Sequence, residues 1–123
     1  MDSSLYKDIA VSRGLSYRYW FSPAAAGKPT VLLIHGFPST TRDWRHVIPH
    51  FTQKGHGVLA FDMLGFGHTD KPTDPAAYVS SLLTKDVIDI LDAEKLDKVV
   101  VSGYDWYVSV YVSFRICRVT YSH

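Results

Sequence analysis

The sequence predicts an α/β protein in which an antiparallel hairpin leads into a parallel sheet joined by crossover helices. Three short apolar runs, at 30–34, 58–61 and 97–102, show almost no polar alternation, which marks strands covered on both faces. The stretches between them carry apolar residues at helical spacing. Two alternating segments near the N-terminus are joined by Arg13-Gly14, a turn suited to a hairpin. Strands alternating with helices call for a parallel sheet with right-handed connections.

The elements follow in order. The hairpin strands lie at about 6–12 and 15–21. In the second, Tyr17, Tyr19 and Phe21 alternate with Ser16, Arg18 and Trp20. Residues 22–29, with two prolines and a glycine, form a turn before the strand Thr30–Ile34. Trp44, Val47, Ile48 and Phe51 then predict a helix within 41–53, kept short or bent by Pro49. Val58–Phe61 is the next strand and runs into a glycine-punctuated turn. Thr73-Asp74-Pro75 is a helix start, with proline suited to the first turn. The helix continues from Tyr78 to Leu96, with Val79, Leu82, Leu83, Val87, Ile90 and Leu91 as its apolar stripe. Lys85, Asp89 and Asp92 oppose that stripe, and the spacing of Asp86, Asp89 and Asp92 reads as a solvated face. The third buried strand, 97–102, ends at Gly103.

Composition narrows the function classes. The chain has 123 residues, 46% hydrophobic, 20% charged and net charge +1, which gives no basic field for nucleic acid. No stretch approaches the roughly eighteen apolar residues of a membrane span. The N-terminus lacks the basic and apolar regions of a signal peptide. One cysteine, Cys117, excludes an internal disulfide and fits a reducing compartment, so the expected location is cytoplasmic. His46, His50, His56, His68 and His123 show no metal-ligand spacing with carboxylates or with Cys117, so no metal is expected.

Four motifs appear in register. His35-Gly36-Phe37-Pro38 follows the first buried strand. Asp62-Met63-Leu64-Gly65-Phe66-Gly67-His68-Thr69-Asp70-Lys71-Pro72 follows the second. The helix of 78–96 comes next, and Gly103-Tyr104-Asp105-Trp106 follows the third strand. Together they resemble the α/β-hydrolase family and, within it, the soluble epoxide hydrolases. The resemblance implies the N-terminal half of an α/β-hydrolase sheet, covering residues 1–106. It implies that Asp105 is the nucleophile at a strand-to-helix elbow, and that the backbone N–H groups of Phe37 and Trp106 form the oxyanion hole. His35, Gly36, Pro38, Asp62, Gly65, Gly67 and Gly103 are then motif residues that shape loops. On residue type alone, Asp105 would read as a loop carboxylate or helix N-cap, and Trp106 as core.

An aspartate at this position suits ester-forming attack on saturated carbon, because a carboxylate of ordinary pKa near 4 is already ionised at neutral pH. In complete relatives the aspartate opens an epoxide, and two tyrosines of a cap domain donate to the departing oxygen. A late histidine, oriented by a carboxylate, activates the water that cleaves the ester. The product is a vicinal diol, formed without a cofactor. The alternative within the family is a haloalkane dehalogenase; Trp106 fits it, whereas Phe37 stands where those enzymes often carry asparagine. Position 105 is neither serine nor cysteine, which disfavours an esterase.

Residues 107–123 depart from the pattern and are expected to form an atypical tail. Tyr107 takes the elbow's last small-residue position, and residues 107–116 alternate with period two where a helix is expected. Codons permitted for Trp106-Tyr107-Val108 include an intron-donor sequence. No cap tyrosines, late acid or catalytic histidine can be placed, so the chain reads as a truncated, inactive form of an epoxide-opening parent. A non-catalytic fragment or binding module is the alternative. Ending the sheet at 98–102 would leave an apolar edge open to self-association.

Overall fold

The hairpin forms as its alternation requires. In the computed structural model, which describes residues 3–35, 40–96, 99–103 and 119–121, β1 (Tyr6–Ala10) pairs antiparallel with β2 (Ser16–Ser22). Gly14 closes the turn with a φ of +85°, and its N–H donates to the Val11 carbonyl. β2 then pairs antiparallel with β4 (Gly57–Phe61), and β4 runs parallel to β3 (Thr30–Ile34). On the other side of β3 lies β5 (Val99–Gly103), also parallel, and beyond it β6 (Val119–Tyr121). The sheet order is β1-β2-β4-β3-β5-β6.

Every residue of β3 and β4 is buried, which explains their lack of alternation. Successive side chains still point to opposite faces. Leu32, Ile34, Leu59, Phe61, Val99 and Val101 join Tyr17 and Tyr19 on one face, beneath Leu83, Val87, Ile90 and Leu91 of α2 (Ser80–Ala93). Burying such side chains contributes roughly 1.5–3 kcal/mol each before entropy is counted. Val31, Leu33, Val58, Ala60 and Trp20 line the other face and meet Ile48 of α1 (Ile48–Gln53).

Four details differ from the sequence expectations. The helix expected within 41–53 is two pieces, a 3-10 turn at Thr41–Trp44 and then α1, with Pro49 in the first turn, where its missing N–H costs nothing. Asp74 caps a 3-10 turn (Pro75–Tyr78) by accepting from the Ala76 N–H at 3.0 Å. Val79 is then extended, so Val79 and Leu82 fall outside the buried stripe of α2. The third buried strand runs Val99–Gly103 and is not the last strand of the sheet. β6 pairs with it through Val99–Val119, Val100–Thr120 and Val101–Tyr121. The period-two stretch of 107–116 lies outside the described residues.

Asp86 is the fourth, and it corrects the reading of 86, 89 and 92 as one solvated face. Its side chain is 1% exposed. The Tyr17 hydroxyl donates to it at 2.6 Å, and the Arg13 guanidinium grips both carboxylate oxygens while Nη1 donates to the Ala77 carbonyl at 3.0 Å. Burial first, then Asp86, pushes the Tyr17 hydroxyl well above the ordinary tyrosine range, so it remains a donor. This cluster fastens the hairpin turn to α2 through groups that would be costly to leave unpaired.

α2 ends in a Schellman arrangement: the Leu96 N–H donates to the Leu91 carbonyl at 2.9 Å and the Lys95 N–H to the Asp92 carbonyl at 3.0 Å. Lys95 therefore adopts a φ of +58°, a conformation usually given to glycine. Lys95→Gly is expected to raise the unfolding free energy by about 0.5–1 kcal/mol, seen as a higher urea midpoint. Asp86→Ala should lower it by about 3 kcal/mol and Tyr17→Phe by about 1 kcal/mol, because only the first strands two partners. Equal losses in the two variants would contradict the shared role given to Asp86.

Candidate active site

The parallel strands change direction around β3. The chain moves from β3 to β4 on one side, then crosses back to β5 on the other. Open α/β sheets hold their ligands at such a switch point, outside the carboxyl ends of the strands. Here that point lies between β3 and β5, whose last residues, Ile34 and Gly103, are register partners. His35 directly follows Ile34. Of the predicted site residues, Gly36, Phe37, Pro38, Asp105 and Trp106 lie outside the described residues. His35, Asp62, Gly65, Gly67 and Gly103 lie within them.

His35 is fully buried, and its Nε2 accepts the Met63 backbone N–H at 2.8 Å. That bond requires an unprotonated Nε2, which places the ring proton of the neutral tautomer on Nδ1. Phe66 packs edge-on against the imidazole, with ring centroids 5.5 Å apart. Nε2 is thus engaged by the backbone rather than presented to a substrate.

Asp62 performs a second tie one residue away. Its Oδ1 accepts the Thr41 N–H at 2.9 Å and its Oδ2 the His68 N–H at 3.1 Å. Its carbonyl accepts the Thr69 hydroxyl at 2.7 Å, and Thr69 Oγ1 in turn accepts the Arg18 N–H at 3.0 Å. The Tyr6 hydroxyl meets Thr41 Oγ1 at 2.9 Å. His35 and Thr41 bracket residues 36–40, and both are fastened to the start of the 62–70 turn. Thr41 and Thr69 were not singled out from the sequence; Thr69 carries a signal only as the hydroxyl position within the second motif.

The two glycines of the turn have different reasons. Gly65 adopts a φ of +91° and its N–H donates to the Asp70 carbonyl at 2.9 Å. Gly67, at φ +56°, lies so close to the Asp62 carboxylate that any Cβ would overlap it. Among the described residues no group of three His, Cys, Asp or Glu side chains could hold a metal, and no helix is long and apolar enough to cross a membrane.

The profile of the alpha/beta hydrolase fold matches residues 29–106, which include all three motif loops. The chain belongs to the α/β-hydrolase fold family. It is 38% identical over 93 residues to epoxide hydrolase 4 of Mus musculus, covering 76% of this chain and 25% of that protein. It is 40% identical over 80 residues to epoxide hydrolase A of Mycobacterium tuberculosis, covering 65% of this chain and 25% of the relative. The crystal structure of epoxide hydrolase A from Mycobacterium thermoresistibile superposes with a TM-score of 0.81 at 31% identity, covering 93% of this chain and 36% of that one. An epoxide hydrolase from Vigna radiata gives 0.82 at 27% identity, covering 94% and 38%. The chain therefore spans about a quarter of the length of the curated relatives it matches.

Gly67→Ala combines a left-handed backbone with an overlap, whereas an added Cβ at Gly14, also left-handed, meets open space. Gly14→Ala should cost about 1 kcal/mol and Gly67→Ala about 2–3 kcal/mol in urea unfolding. Matching costs would show that Asp62 yields without loss and is no fixed anchor.

Proposed function

We propose that this chain carries the nucleophilic part of an epoxide-opening α/β-hydrolase, with Asp105 as the nucleophile at the elbow after β5. The observation that carries this reading is the pairing of Ile34 with Gly103 at the switch point, which sends the segments after β3 and β5 out of the same end of the sheet. The epoxide hydrolases among the relatives supply the substrate class.

In this reading an Asp105 carboxylate oxygen attacks one epoxide carbon. The C–O bond to that carbon breaks, and the ring oxygen leaves with a proton from a donor. The product of this step is a hydroxyalkyl ester of Asp105. Water then attacks the ester carbonyl, and the N–H groups of Phe37 and Trp106 stabilise the oxyanion before the diol departs. His35 and Asp62 act as supports of the loop that bears Phe37, a role favoured by the ties from Met63 and Thr41. The proton donor and the base that activates water are assigned to parts of the relatives beyond the quarter matched here. A cytoplasmic setting fits the single cysteine.

The 123-residue chain, incubated with an aryl epoxide, should gain at most one covalent adduct by intact-mass spectrometry. Peptide mapping should place it on Asp105, and Asp105→Asn should abolish it. Sustained diol release by the 123-residue chain would overturn the division of labour just described. An adduct elsewhere, with Asp105 unmodified, would overturn the nucleophile assignment.

A further inference from the structure

Two adjoining cavities, of about 280 and 260 Å³, lie between β1, β2, the 41–44 turn and the 62–70 turn. They share Tyr6 and Arg42. Arg18 and His68 line the first, and Arg45 lines the second. Among the described lining residues the one carboxylate is Asp62, buried and already accepting two backbone N–H groups. Asp8 holds Arg18 through a two-pronged pair at 3.0 and 2.9 Å but lines neither cavity, nor does Asp43.

Arg42 differs from Arg13 and Arg18, whose guanidinium groups are matched to carboxylates. Its backbone N–H donates to Thr40 Oγ1, yet no described acceptor meets its guanidinium. Arg45 is turned back toward it, with Nη1 donating to the Arg42 carbonyl at 2.9 Å. Arg42 and Arg45 stand three residues apart on this turn and are both exposed, so each guanidinium brings fork-like donors to the groove. Arginine forks match the oxygens of a phosphoryl group in pairs.

We propose that this groove binds the phosphoryl group of a small molecule, held by Arg42 and Arg45. The walls belong to the β2–β4 side of the sheet, whereas β5 lies on the other side of β3. The proposal does not depend on Asp105 being a nucleophile.

The test titrates the full 123-residue chain with inorganic phosphate and with phenyl phosphate, following backbone amide and arginine side-chain NMR signals. Saturable shifts at Thr40, Arg42, Arg45 and His68 are expected, with affinity weakened about tenfold by Arg42→Ala and partly restored by Arg42→Lys. Lys85→Ala, remote from the groove, should bind like the parent. Tighter binding of phenyl phosphate identifies an organic monoester as the natural ligand class, and equal binding identifies free phosphate. Shifts that fail to saturate, or an affinity untouched by Arg42→Ala in a variant with parental thermal unfolding, would overturn the proposal.

Discussion

The Asp62 carboxylate is the constraint on which the loop end of this sheet depends. It stands at the end of β4, and its two oxygens reach two different loops, at Thr41 and His68. A buried carboxylate is tolerated only where hydrogen bonds replace its water, and here backbone N–H groups supply them. Those N–H groups would otherwise be unsatisfied donors at the starts of irregular segments. One side chain therefore relieves several polar groups at once. Gly67 follows from it, because the backbone must pass where a Cβ would stand. His35 repeats the device from β3, accepting from the residue next to Asp62.

The architecture was legible where burial alone decided it. The runs 30–34 and 58–61 are strands because nothing polar interrupts them and both faces are covered. The alternation of Tyr17 and Tyr19 against Trp20 foretold opposite cores, and they occupy them. Asp86 was not legible. Its helical spacing from Asp89 and Asp92 is that of a solvated face, and only tertiary placement of Arg13 and Tyr17 reverses it. Sixty-nine residues separate Asp86 from Tyr17, so no local pattern could join them. The break between Trp44 and Ile48 and the one at Val79 were missed for a different reason: periodicity averages over turns and does not show where a helix restarts.

The motif loops were legible as a sequence of residues but not as a network. Spacing located His35, Asp62, Gly65 and Gly67, whereas the partners that give them physical content are mostly backbone N–H groups, to which residue type is blind. Thr41 contributes its amide to Asp62 and its hydroxyl to Tyr6, and neither contact requires a threonine pattern. The β5–β6 pairing was also hidden, since a three-residue strand leaves little periodicity to read.

These ties explain why the two sides of the sheet's carboxyl end differ in character. On the β4 side, Asp62, Thr69, Arg18 and Asp8 form a polar mesh that closes the turn against the hairpin. Polar atoms satisfied by one another there hold the loop geometry. On the β5 side the described packing is apolar, with Val99 and Val101 in the core shared with α2. An apolar support suits a strand that must hold its last residue, Gly103, beside Ile34 with little freedom, because close-packed side chains resist displacement in every direction. Rigidity thus comes from apolar packing around β5 and from hydrogen bonding around Asp62 and His35. The two contributions meet at β3, which is paired on both edges and carries His35 at its end. A change that loosened β3 would displace both, whereas a change at Asp62 would act on one, so the middle strand sets the relation between the two loops.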